Sequence, residues 1–205
     1  MSKIKIFGIP ASRAFRALWM AEECGVAYEN LRIGFADGSS RTPEYLAVNP
    51  NGRIPALQDG DFTMFESLAI DWYLARKYGA DKGVGPRTPE EEGHALQWTL
   101  WAANEVELPV IEWAFNAIVY PPEKRSATIA AAAWAKIQAP LGVLERALAR
   151  REYLVGNRFT VADLNVAACL YRLLSVELPD FPRIDTWLDR CFTRPAALAA
   201  RRLRE

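Results

Sequence analysis

Polar and apolar residues alternate over residues 3–7 (Lys-Ile-Lys-Ile-Phe), which predicts a strand with one buried face. From 13 to 24 the period changes. Phe15, Leu18, Trp19 and Met20 recur at helical spacing, and Gly25 follows as a stop. Alternation returns over 28–33 as a second strand. Asp37-Gly38-Ser39-Ser40 reads as a loop and 43–47 as a short helix. Residues 55–58 and 62–65 are two short strands joined by Asp59-Gly60-Asp61, a hairpin signal. Residues 66–78 form a helix whose apolar face includes Leu68, Ile70, Trp72, Tyr73 and Leu74. The order βαβ then ββα predicts an α/β sandwich on a small mixed sheet over residues 1–78.

Residues 79–89 hold Gly79, Gly83, Gly85, Pro86 and Pro89 with almost nothing apolar, and read as a linker. From 90 onward every pattern is helical. Residues 90–116 carry Leu96, Trp98, Leu100, Trp101, Val106, Leu108 and Ile111, with Pro109 as a kink; 123–151 is alanine-rich with an internal Pro140. Residues 160–174 are nearly apolar throughout and predict a central buried helix, and 184–192 and 196–204 are shorter helices. The second domain, 90–205, is expected to be an all-helical bundle.

Composition narrows the partners. Among 205 residues, 25 Lys and Arg balance 25 Asp and Glu, so the net charge is zero, which disfavours nucleic acid. Hydrophobic residues at 51% and charged ones at 24% fit a soluble globular chain. The longest charge-free stretch, 93–104, is too short to span a bilayer, and no signal-peptide layout opens the chain; no membrane partner is expected. Cys24, Cys169 and Cys191 fit no zinc pattern and no C-x-x-C pair, which suggests buried thiols in a reducing, cytoplasmic setting. His94 is the sole histidine, so a structural metal site is not expected, and a Ser-His-Asp triad would depend on it beside Glu90, Glu91 and Glu92.

Three local signals carry chemistry, each with an ordinary structural alternative. In Asn49-Pro50-Asn51-Gly52-Arg53-Ile54-Pro55-Ala56-Leu57 a proline opens an apolar β-like run. Either Pro55 is a plain turn residue, or a cis Ile54–Pro55 bond leaves the Ile54 main chain facing outward for a peptide-like ligand. Phe65-Glu66-Ser67 lies where the last strand becomes a helix. It suits an anion at the helix start with Glu66 for an ammonium, or a simple cap. Ser12, at or before the start of the first helix, is placed either to cap it or to donate a hydrogen bond to an anion such as a thiolate.

Taken together, Arg53-Ile54-Pro55-Ala56-Leu57, Phe65-Glu66-Ser67-Leu68-Ala69-Ile70, the opening Ile4-Lys5-Ile6-Phe7-Gly8-Ile9-Pro10-Ala11-Ser12 and Gly156-Asn157-Arg158-Phe159-Thr160-Val161-Ala162-Asp163 resemble the cytosolic glutathione transferases, serine-type classes such as phi and theta in particular. The resemblance spans nearly the whole chain. It implies a thioredoxin-like domain before the helical one, glutathione as co-substrate without a metal, a small hydrophobic electrophile and a homodimer. Ser12 matches the catalytic serine. Ile54 and Pro55 match the main-chain partner of the cysteinyl part and the cis-proline. Glu66 and Ser67 match the γ-glutamyl holders, Arg53 a neighbour of that region, and Ser40 and Arg41 the loop toward the glycyl carboxylate. Ser40 stands where phi members often show histidine, and Asn51 where they often carry an aromatic that clasps the partner subunit. Ile9, Phe35, Trp113 and Phe115 are candidate lining for the electrophile, expected between the domains. Thr160 and Asp163 have the spacing of a helix-capping box, a structural role in this family. No cysteine lies near residues 9–14, which counts against omega and glutaredoxin-like types, and Cys24 sits at the far end of the first helix. A peroxidase or dehalogenase variant, or a binding or structural protein of the same fold, are the alternatives.

Overall fold

The structure is a computed structural model that describes residues 3–204. It divides into two compact units, one reaching Arg87 and including the segment from Thr193, the other Thr88–Phe192.

The first unit is built on a four-stranded sheet. Its elements are β1 (Ile4–Phe7), α1 (Ala14–Cys24), β2 (Tyr28–Leu31), α2 (Pro43–Leu46), β3 (Ala56–Asp59), β4 (Phe62–Phe65), α3 (Ser67–Tyr78) and, from the end of the chain, α9 (Pro195–Arg202). The sheet order is β2-β1-β3-β4. β1 runs parallel to β2 and antiparallel to β3, which pairs antiparallel with β4; Phe7 faces Leu31 on one side and Ala56 on the other. Ile4, Ile6 and Leu57 are buried. α1 ends as its glycine predicts, with Gly25 at φ 65 donating to the carbonyls of Ala21 and Glu22. The predicted loop at 37–40 tightens into a 3-10 turn at Ser39–Arg41, where the Asp37 carboxylate accepts from the Ser39 amide and hydroxyl.

Two details differ from the sequence reading. The buried stripe of α3 is Ser67, Ile70, Asp71, Leu74 and Ala75, with Trp72 and Tyr73 only half buried, so two polar residues face inward. Residues 193–204, expected to end the helical domain, belong to the first unit. α9 packs on α1, and the Arg194 guanidinium forks onto the Glu23 carboxylate at 2.7 and 2.8 Å.

The second unit is helical: α4 (Pro89–Trp101), α5 (Glu107–Ala114), α6 (Ala127–Ala147), α7 (Val161–Cys169) and α8 (Pro182–Phe192). Thr88 caps α4, its hydroxyl accepting from the Glu91 amide. The kink expected at Pro109 is a π-turn at Ala102–Val106, where the Glu107 amide reaches back to the Ala102 carbonyl. Pro109 offers no N–H to the residue 105 carbonyl and its ring crowds that turn, which the wider turn relieves. The helix expected over 160–174 is α7, buried along its whole length, followed by a 3-10 turn at Tyr171–Ser175. By length and composition alone the segment Ala127–Arg150 reaches the apolarity of a membrane span, a test that the core helix of a helical bundle also passes.

α7 opens on the predicted capping box. The Thr160 hydroxyl accepts from the Ala162 amide, and Asp163 Oδ2 accepts from the Thr160 amide at 3.0 Å and its hydroxyl at 3.1 Å. Asp163 Oδ1 takes two more donors, the Leu154 amide at 2.8 Å and the Trp187 indole at 3.1 Å.

Candidate active site

The cleft lies in the first unit, where the chain leaves β1, approaches β3 and enters α3. The Ile54–Pro55 bond is cis. The loop leading to it is held by the Arg53 carbonyl, which accepts from the Tyr45 hydroxyl and from Asn49 Nδ2, both at 2.6 Å. Tyr45 and Asn49 are buried, so this bracket is rigid. Sequence reading passed over both. The local signal at Asn49 is its place before Pro50, where an amide side chain can close a turn on itself; it does so by accepting from the Asn51 amide. Gly52 has φ +58, and a Cβ there would come within 2.9 Å of the Ser40 carbonyl and closer still to the Arg41 guanidinium, so only glycine fits.

Just before Pro55, the Ile54 amide and carbonyl pair with no described residue, since the ladder of β3 begins at Ala56. The loop therefore offers one unpaired stretch of strand edge.

At the start of α3, Glu66 adopts φ 73, ψ 109, rare for a residue with a Cβ, and makes no side-chain cap bond. Simple capping does not describe it. Ser67 is buried, and its Oγ accepts from Arg16 Nη1 at 3.1 Å.

At the start of α1, the half-buried Ser12 hydroxyl donates to the Ile9 carbonyl at 2.7 Å and accepts from the Ala14 amide at 3.0 Å. Its proton is thus already engaged. Burial, with Asp71 and Glu23 adding to it, pushes the Cys24 thiol up to about 12, which keeps it protonated and inert.

Two adjoining cavities share Arg13, Arg53 and Ile54. The smaller, about 100 Å³, is completed by Asn49, Asn51, Pro55, Glu66 and Ser67. The larger, about 300 Å³, is completed by Ser12, Phe35, Ser40, Arg41 and Gly52. Three arginines against one glutamate make the cleft electropositive. The structure thus brings Ser12, Ser40, Arg41, Arg53, Ile54, Pro55, Glu66 and Ser67 to one continuous depression, and adds Arg13 and the two asparagines. Ile9 contributes its main chain to Ser12 and does not line either cavity, whereas Phe35 lines the larger one and is 67% exposed. Trp113 belongs to the helical unit, where it is buried against Trp134 at a ring separation of 5.3 Å and lines a different cavity with it. Phe115 makes an edge contact with Tyr120 in the same unit. Among the described residues no cluster of three His, Cys, Asp or Glu side chains is placed to hold a metal ion.

Residues 2–76 match the model of the glutathione S-transferase N-terminal domain, and residues 108–195 that of the glutathione S-transferase C-terminal domain. Glutathione S-transferase 4 of Zea mays is 32% identical over 95% of this chain and 90% of its own length. The crystal structure of a theta class glutathione S-transferase from Xanthomonas axonopodis pv. citri, with glutathione bound, superimposes with a TM-score of 0.89 at 33% identity, covering 98% of this chain and 97% of that one. Elongation factor 1-gamma 1 of Oryza sativa is 33% identical over 89% of this chain, which spans 44% of that protein.

Proposed function

Because the chain belongs to the cytosolic glutathione transferase family, we propose that it binds glutathione in this cleft and joins the glutathione sulfur to a small hydrophobic electrophile. The observation that carries the reading is the unpaired Ile54 main chain beside the cis-proline, flanked by Ser67 on one side and the Arg41 loop on the other. The cysteinyl part of glutathione pairs with Ile54 as an added strand. The γ-glutamyl carboxylate is received at Ser67 and the first turn of α3, with Glu66 for its ammonium. The glycyl carboxylate faces Ser40, Arg41 and Arg53. Ser12 turns its hydroxyl from the Ile9 carbonyl to the sulfur.

In the reaction the thiol loses its proton to solvent and a C–S bond forms; from an aryl halide the halide departs with the bonding pair, and with an enone the resulting enolate takes a proton from solvent. A free thiol is only a few per cent ionised at neutral pH. A hydrogen bond to a charged acceptor contributes about 1.5–3 kcal/mol, and the bond to Ile9 that must be given up offsets about 0.5–1.5. The net, about 1–2 kcal/mol, corresponds to a fall in rate of about 5–30-fold at neutral pH for Ser12→Ala. The thiolate absorbance of the bound complex should titrate at correspondingly higher pH. An unchanged titration would remove Ser12 from this role. We read the working form as a cytoplasmic homodimer.

A second reading, a binding or structural module with little turnover, has one observation behind it, the likeness to elongation factor 1-gamma 1. A panel of aryl halides, enones and hydroperoxides assayed with glutathione separates the two. Glutathione-dependent turnover of the first two supports the transferase, turnover of hydroperoxides alone a peroxidase, and binding without turnover the module.

A further inference from the structure

Asp71 lies on α3 one helical turn after Ser67, so the two share a face, the one packed on α1. It is fully buried, and neither carboxylate oxygen has a hydrogen-bond partner among the described residues. Native interiors leave few polar groups in that state, and a carboxyl so placed calls for a reason. Arg16, on α1, is also buried, and it is the guanidinium that donates to Ser67 Oγ. With its oxygen taken by a cation, the Ser67 hydroxyl keeps its proton for an acceptor at the mouth of α3.

The charges around Asp71 are few. From α1, Arg16 favours the carboxylate form, while burial, the larger influence, holds the carboxyl well above its usual range. The Cys24 thiol, also on α1, feels Asp71 but stays neutral, and Glu23 is engaged by Trp19 and Arg194. From β3, Asp59 is bonded to Tyr73, Tyr78 and Lys77 toward the far end of α3, and β4 carries no charged residue. Among the described residues, Arg16 is therefore the charge that Asp71 and a ligand at Ser67 would share.

We propose that Asp71 is a positioning residue of this anion site: acting through Arg16 and Ser67, it takes up a proton when a ligand carboxylate is seated at Ser67. The claim rests on the reading of the cleft as a glutathione site. A carboxylate at Ser67 brings a second negative charge to the same guanidinium. The ionised form of Asp71, buried and with no hydrogen-bond partner among the described residues, yields first, and a proton from solvent joins its oxygen. No bond to the ligand forms or breaks. Binding that takes up protons weakens as pH rises, so ligand affinity should fall through the range where Asp71 titrates.

S-methylglutathione is the probe, since it has no thiol to ionise and its carboxylates and amine hold their charges between about pH 5 and 6.5. Calorimetric titration of the full chain, in two buffers of different ionisation heat, reads both affinity and proton uptake. Wild type should bind at least about 3-fold more weakly at the upper pH, with buffer-dependent heats that report proton uptake. Asp71→Asn, permanently neutral, should bind with one affinity across the range and with buffer-independent heats. Asp71→Leu, which suits the apolar surroundings, should do the same and guards against a folding defect particular to asparagine. A flat wild-type response, or a variant that shifts affinity by one factor at every pH and keeps the wild-type slope, would overturn the proposal while leaving the glutathione site standing. Failure of wild type to bind the probe at any pH would overturn the glutathione reading itself, and the proposal with it.

Discussion

Asp163→Ala is expected to destabilise the helical unit by about 3–6 kcal/mol, a large share of the stability of a domain this size. The side chain is fully buried and serves four donors: the amides of Leu154 and Thr160, the Thr160 hydroxyl and the Trp187 indole. Alanine leaves at least three N–H groups buried without an acceptor, each costing about 1–3 kcal/mol before the structure relaxes. Asp163→Asn keeps one acceptor oxygen and points an amide at the remaining donors, so it should fall between the two. Denaturant unfolding followed by tryptophan fluorescence measures both. Equal midpoints for wild type and Asp163→Ala would refute the role.

The pH response has a definite sign. Burial, outweighing the four hydrogen bonds, raises the Asp163 carboxyl to about 6, above its unfolded value of about 3.9. The folded state therefore holds this proton more tightly. That contribution is fully present below the unfolded value and is lost as pH rises through about 6. The gap between wild type and Asp163→Ala should accordingly be wider at pH near 5 than at pH near 7.

The second large effect lies at the other end of the chain. Arg194→Ala should destabilise the first unit by about 2–4 kcal/mol. Glu23 is buried, with its side chain only 4% exposed, and Arg194 supplies both bonds of a fork while Trp19 supplies a single indole N–H. Removing the guanidinium strands a buried carboxylate. Because Arg194 is itself 29% exposed, the cost falls below that of a wholly buried pair. Limited proteolysis should then cut near α9 in the variant before it cuts wild type. Identical unfolding midpoints and cleavage patterns would contradict this.

These two cases mark what a reader of the chain can see. The capping box was legible because its partners, Thr160 and Asp163, are three residues apart and local spacing carries the geometry. The Leu154 and Trp187 donors to the same carboxylate were not, nor was the Glu23–Arg194 fork, whose members lie 171 residues apart. No periodicity reports such pairings. The same holds in the cleft. The strand, turn and helix that carry Ser12, Pro55 and Ser67 follow from alternation and turn residues, but alternation could not decide between a plain turn and a cis bond at Pro55. Nothing in the local pattern marks Asp71, because only packing against α1 reveals that it faces inward. The helical boundaries slipped where Pro109 widened a turn and where the end of α7 tightened into 3-10 geometry, local departures that the apolar period does not report.

Calorimetric titration of glutathione into the intact chain and into Ser67→Ala decides whether the Ile54–Ser67 cleft holds glutathione. Wild type should bind saturably and the variant at least about 10-fold more weakly, because Ser67→Ala would remove a hydrogen bond to a charged carboxylate. Absence of binding to wild type at millimolar glutathione, or equal affinity in both proteins, would contradict a glutathione site in this cleft.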